Sequence, residues 1–151
     1  MAIVTVDTLV EGVRRDDVFK FLSEPARHEA LLKAGFLEVR LVGPNAWSLT
    51  IPVPARPVVV VYRFRTPDDD HGGRRVLIDL EGARTKGELH FSMRTMKPST
   101  NTMVTAHADY RSGRLLGLML DRFFLEKAMR EGMTQMLAEL HRSLQSGGVA
   151  R

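Results

Sequence analysis

The stretch RLLGLMLDRFFLEKAMREGMTQMLAELHRSLQS, Arg114 to Ser146, decides how the rest of the chain is read. Leu116, Met119/Leu120, Phe123, Met129, Met133, Met136/Leu137, Leu140 and Leu144 recur at i, i+3/i+4 spacing, the pattern of an amphipathic helix. Gly147 and Gly148 end it. At 1.5 Å per residue such a helix is ~50 Å long, so a bend near Gly117 or Asp121 is expected. Methionine is flexible and suits adaptable apolar surfaces, which makes this helix face soft. Leu115 to Leu125 is apolar around most of its circumference, more than one core-facing stripe requires. Its first turns either enter the mouth of a cavity or make a homodimer contact.

Upstream, the period is mostly two. Ala2 to Gly12 reads as a strand through Ile3, Val4, Val6, Leu9 and Val10. Asp16 and Asp17 suit a helix start, with Val18, Phe19, Phe21 and Leu22 on its buried side. Ser23-Glu24-Pro25 breaks that helix and starts a second, with Ser23 available as a cap. The second runs from Ala26 to Ala34, with Ala30, Leu31 and Leu32 apolar and Gly35 as its stop. Phe36 to Val42 then alternates, placing Leu37, Val39 and Leu41 on one face. Further strands follow: Ala46 to Val53 (Trp47, Leu49, Ile51 and Val53 on one face), Val58 to Thr66 (Val60, Tyr62, Phe64) and Arg74 to Glu81 (Val76, Ile78, Leu80). Glu88 to Lys97 (Leu89, Phe91, Met93) and Thr102 to Arg111 (Val104, Ala106, Ala108, Tyr110) complete the set. Gly43-Pro44-Asn45 and the other short turns between them imply an antiparallel meander with one face packed and one wet.

With 151 residues and 44% hydrophobic content, the chain suits one domain over 1–151. The longest strongly apolar run, Val58 to Val61, is far short of the ~20 residues a bilayer span needs. The N-terminus lacks the basic region of a signal peptide. No cysteine is present, so there is no disulfide, thiolate nucleophile or cysteine metal site. A cytoplasmic protein is expected. Net charge is +4 and pI about 9.8. Arg63, Arg65, Arg84, Lys86 and Arg94 are interleaved with Asp79, Glu81 and Glu88 rather than with aromatics, which argues against nucleic-acid binding.

The element order is strand, two short helices, six strands, long helix. Together with Val18-Phe19-Lys20-Phe21-Leu22-Ser23-Glu24-Pro25, Glu81-Gly82-Ala83-Arg84-Thr85-Lys86-Gly87-Glu88-Leu89 and Tyr110-Arg111-Ser112-Gly113-Arg114-Leu115-Leu116-Gly117, it resembles the START/polyketide-cyclase (SRPBCC) superfamily. That resemblance implies an α+β helix-grip fold: a curved antiparallel seven-stranded sheet wrapped around the C-terminal helix, enclosing a hydrophobic cavity. It implies no single reaction, because the superfamily includes lipid carriers, cyclases and aromatases.

Candidate chemistry is sparse. Asp68-Asp69-Asp70-His71 could hold a cation, but between Pro67 and Gly72-Gly73 it reads better as a solvated hairpin tip. The remaining histidines are His28, His90, His107 and His141, with no HExxH pair. His90 and His107 fall on adjacent strands with the same outward orientation, and a surface polar pair is the simpler reading than a metal or acid/base site. There is no GxSxG elbow. No metal and no cofactor is expected. The leading expectation is binding or transport of a lipid, acyl chain, isoprenoid or polyketide-like molecule. Its wall would comprise Trp47, Ile51, Tyr62, Phe64, Ile78, Phe91, Met93, Tyr110, Leu116, Met119, Leu120, Phe123 and Met133. The alternatives are a cyclase or aromatase using Tyr62 or Tyr110 as proton donor or orienter, and an interaction domain with a filled cavity that dimerises through residues such as Leu118 and Phe124.

Overall fold

The computed structural model describes residues 2–53, 57–65, 75–82, 85–111 and 119–146; for Thr85 and residues 119–122 the backbone alone is described. The expected segments containing Leu116, Leu118 and the Asp68–His71 cluster lie outside the described residues. The elements are β1 (Ala2–Val10), α1 (Arg15–Leu22), α2 (Pro25–Gly35), β2 (Leu37–Gly43), β3 (Ala46–Ile51), β4 (Val58–Phe64), β5 (Arg75–Gly82), β6 (Thr85–Thr95), β7 (Thr102–Arg111) and α3 (Met119–Ser146).

All seven strands form one sheet in the order β1-β7-β6-β5-β4-β3-β2, with every neighbouring pair antiparallel. The α1–α2 segment carries the chain from one edge of the sheet to the other. α3 packs against β1 and α2, with lesser contact to β3 and β7. This is the helix-grip arrangement.

Strict alternation in the central strands produces a two-sided sheet. Val76, Ile78 and Leu80, then Leu89, Phe91 and Met93, then Val104, Ala106, Ala108 and Tyr110 are all buried on the concave side. α3 contributes Leu125, Ala128, Met129, Met133, Met136, Leu137, Leu140 and Leu144 to the same core. Burying each large apolar side chain contributes ~1.5–3 kcal/mol before the entropy of ordering it is counted.

Three local expectations need correction. The α3 stripe includes Leu125, two residues beyond Phe123, and Phe123 itself is 59% exposed. A two-residue step turns the helix by ~200°, so only one of the two can face the sheet. β2 does not bury its alternate residues: Leu37 is 54% and Leu41 64% exposed, and only Val39 packs on the core. The cause is an irregular edge strand. Glu38 has φ +51°, and one extra residue enters β2 between Leu37 and Arg40 and another between Leu41 and Gly43, relative to β3. Ser23 does not cap α2: its Oγ is buried without a hydrogen-bond partner, and the N-cap is Glu24. Gly35 does end α2, as expected, without a left-handed conformation. It lies against α3 so closely that an added Cβ would stand 2.2 Å from the Gly132 carbonyl oxygen.

The Gly43-Pro44-Asn45 turn is as expected, with Asn45 supplying the left-handed position at φ +56°. Because β2 is an edge, Leu41→Lys is expected to change unfolding free energy in urea by no more than ~0.5 kcal/mol. A loss above ~1.5 kcal/mol would show that this strand has a core role.

Candidate functional site

The space gripped between α3 and the sheet is bounded by Phe36, Leu49, Ile51, Val60, Tyr62, Leu80, Leu89, Ala108, Met129 and Met133. It is a void of about 20 Å³, and no polar atom of its wall is exposed to it. The strand register explains its lining. Leu49 pairs with Val60, Trp47 with Tyr62, and Leu89 with Ala108, so these side chains share the concave face. Ala108 is the small residue among them, and the two methionines of α3 lie opposite.

One polar pair is built into this otherwise apolar interior. His28, on the face of α2 shared by Leu31 and Leu32, is fully buried. Its Nε2 lies 2.7 Å from the Leu22 carbonyl oxygen and its Nδ1 lies 2.8 Å from the Tyr62 hydroxyl. A carbonyl only accepts, so Nε2–H donates to Leu22 and the unprotonated Nδ1 accepts from the Tyr62 O–H. Burial lowers the His28 pKa to about 4, against the smaller opposing effect of its bond to Leu22, so the ring is neutral at pH 7. Burial likewise pushes the Tyr62 phenol well above its ordinary value. The rings of Phe64 and Phe91 meet the imidazole edge-on at 5.2 and 5.9 Å. The dyad is thus a satisfied hydrogen-bonded bridge from α2 to β4, with Tyr62 presenting its ring, not its hydroxyl, to the void.

Of the residues expected to form a ligand wall, Ile51, Tyr62 and Met133 line the void. Ile78, Phe91, Met93 and Tyr110 are buried in the surrounding concave core, with Phe64 packed at its margin. Trp47 is buried beyond Tyr62, and its Nε1–H donates to Glu29 Oε1 at 3.0 Å. That bond, with the nearby Lys33 ammonium, holds the Glu29 carboxyl below its usual range. Phe123 faces outward against Phe124, ring centroids 5.7 Å apart. Met119 and Leu120 lie in the first turn of the described part of α3. The rest of the lining, Phe36, Leu49, Val60, Leu80, Leu89, Ala108 and Met129, was not among the expected wall residues, and neither was the buried His28. The available signal for His28 was its i, i+3, i+4 spacing with Leu31 and Leu32, which places all three on one helix face.

The convex face is different in character. Arg63 pairs with Glu81 at 3.6 Å, Arg65 with Asp79 at 3.2 Å, and Arg65 also with Glu88. The basic residues there are interleaved with acids, as the sequence suggested. His90 and His107 stand directly opposite each other on β6 and β7. Partial burial, and then the neighbouring His107, keep the His90 pKa below the ordinary histidine range.

No protein-family model matches this sequence, and no curated protein matches it. Solved structures do match in fold. A protein from Thermus thermophilus is similar with a TM-score of 0.70 at 13% identity, over 95% of this chain and 97% of that one. A START superfamily protein from Mycobacterium smegmatis has a TM-score of 0.63 at 13% identity, over 96% and 98%. A point mutant of norcoclaurine synthase from Thalictrum flavum, solved with a transition-state analogue, has a TM-score of 0.61 at 14% identity, over 95% and 96%. The chain therefore has a START-like, SRPBCC-type helix-grip fold. Among the described residues, no helix is long and apolar enough to cross a membrane.

Proposed function

We propose that the chain binds a hydrophobic or amphipathic small molecule, such as a lipid, acyl chain, isoprenoid or polyketide-like compound, between α3 and the concave sheet face. The observation that carries this reading is the void. It lies where the helix crosses the sheet, exposes no polar atom, and is walled on the helix side by Met129 and Met133. START-like folds commonly accommodate hydrophobic ligands. A volume of 20 Å³ is room for about one water. Uptake therefore requires the two methionines and Phe36 to give way, and an unbranched thioether can change rotamer at small cost.

The cyclase-type alternative needs a proton donor at the ligand. The Tyr62 proton is already engaged by His28, and the phenol oxygen does not face the void. Both points weigh against Tyr62 as a proton donor to a ligand. The test is native mass spectrometry of the purified chain, as isolated and after incubation with a mixed lipid extract, with a fluorescent fatty acid as titratable probe. A saturable one-to-one adduct is expected. Ala108→Leu, which adds bulk to the void wall, is expected to weaken probe binding at least about fivefold while the urea transition remains cooperative. A folded wild-type chain that takes up neither extract lipid nor probe overturns the proposal, and an apolar dimer in the same spectra would support the interaction-domain reading.

A further inference from the structure

The convex sheet face carries a second arrangement, independent of the void. Thr5, His107 and His90 lie in one row across β1, β7 and β6: Thr5 pairs with His107, and His107 with His90. Ring centroids of the two histidines are 5.1 Å apart. An imidazole nitrogen sits ~2.0–2.1 Å from a zinc-like ion, which puts the ring centroid ~3.2 Å from it; two such rings at a tetrahedral angle have centroids ~5.2 Å apart. The observed spacing, with the rings tilted by 36°, leaves room for one ion shared by the two imidazoles. Oriented ligands also need the second ring nitrogen held by a partner. The Thr5 hydroxyl oxygen lies 2.7 Å from His107 Nδ1. With Nδ1–H donating to that oxygen, His107 Nε2 keeps its lone pair for a metal.

Acids and cations both surround this point in the groove, and the Arg75 guanidinium acts on His90 directly. Asp109 is two residues from His107 on the same face, and its buried Oδ1 has no hydrogen-bond partner. A buried carboxylate oxygen without a donor is costly, and a positive ion close by would offset that cost. Glu88 stands opposite Asp109, while Lys86 and Arg111 form the next pair along, at the far end of the groove. Among the described residues, no three His, Asp or Glu side chains come together as a metal cluster. The protein would therefore supply two ligands at most, leaving the other positions to water.

We infer that His90 and His107 form a two-histidine site for a borderline divalent transition ion, oriented by Thr5. Imidazole donors suit Cu²⁺, Ni²⁺ and Zn²⁺, and the affinity order of such sites favours Cu²⁺. The ion is exchangeable, because half of its coordination sphere or more is solvent.

The test is isothermal titration of the full chain at about pH 7.5 with Ni²⁺ and Cu²⁺, where neutral imidazole is the ligand form, with a weak chelator present to suppress loose association. A one-to-one event is expected. His90→Ala and His107→Ala should each weaken it at least about tenfold, and Thr5→Val about threefold, with far-UV circular dichroism unchanged. Paramagnetic Ni²⁺ should broaden the amide resonances of Thr5, His90 and His107 first. If the His90→Ala, His107→Ala double variant binds as tightly as wild type, or broadening centres elsewhere on the chain, the site is wrong.

Discussion

Gly35→Ala is expected to cost about 3 kcal/mol or more of folding stability, a large share of the ~5–15 kcal/mol a domain possesses. The added methyl would lie 2.2 Å from the Gly132 carbonyl oxygen and 3.0 Å from its carbonyl carbon, with Met136 Cγ at 3.1 Å. Two of these neighbours are backbone, so rotamer changes cannot relieve the contact. α2 and α3 would have to separate, disturbing the packing of Leu31 and Leu32. Gly132→Ala should cost less. Its methyl would meet the Phe36 ring at 2.3 and 2.4 Å and the Gly35 carbonyl oxygen at 3.0 Å. The ring is partly exposed and can move, and alanine is favoured over glycine within a helix by ~1 kcal/mol. Gly43→Ala, where nothing lies within 4 Å, is the neutral control. Urea midpoints at unchanged slope measure all three. A Gly35→Ala loss below ~1 kcal/mol, or one smaller than that of Gly132→Ala, would mean the helices are not packed backbone to backbone.

The second large effect concerns pH. The His28 pKa is about 4 in the folded chain and 6.5 when exposed in the unfolded one. The folded value is the lower, so between these values the unfolded state binds the extra proton. The contribution of neutral His28 to stability is therefore complete above pH 6.5 and lost as pH falls toward 4, below which it levels off. At 1.36 kcal/mol per unit of pKa difference, about 2.5 kcal/mol is lost between about pH 7.5 and 4.5. His28→Phe isolates this from the titration of other groups. At about pH 7.5 the variant leaves the Tyr62 hydroxyl and the Leu22 carbonyl without their imidazole partner and should be less stable than wild type by ~1–3 kcal/mol. At about pH 4.5 that deficit should close or reverse. Urea unfolding of both chains at the two pH values reads the difference directly, and a deficit that stays constant would show that His28 titrates normally. His28→Phe combined with Tyr62→Phe should recover part of the loss seen at the higher pH, because no buried phenol is then left unpaired.

These two predictions come from contacts that no local pattern reveals. Gly35 precedes a strand and follows a helical run, so by itself it reads as a helix stop; its role depends on Gly132, far along the chain. His28 and Tyr62 are 34 residues apart. The spacing of His28 with Leu31 and Leu32 is enough to bury it, but not to find its partner. Phe123 shows a related limit. Periodicity establishes a helix, but the phase at its first turns is set by where that helix meets the sheet, and Leu125 takes the inward position.

The central strands are legible because each is half-buried and antiparallel, so the alternation of Val76 to Leu80, Leu89 to Met93 and Val104 to Tyr110 is also the map of the concave face. The same alternation misleads at β2. Extra residues and the left-handed Glu38 break its register, and an edge position removes the second neighbour that would have enforced it. For this protein, the amino-acid pattern by itself determined the order of the elements, the inward set of the inner strands and the soft methionine face of the long helix. These follow from local periods of two and about 3.6 and from the area each side chain removes from water. Tertiary structure decided the volume of the void, the bridge from His28 to Tyr62, the backbone contact of Gly35 with Gly132, and the row of Thr5, His107 and His90. Each of these is a distance between residues remote in sequence, fixed only once the sheet has curved around its helix.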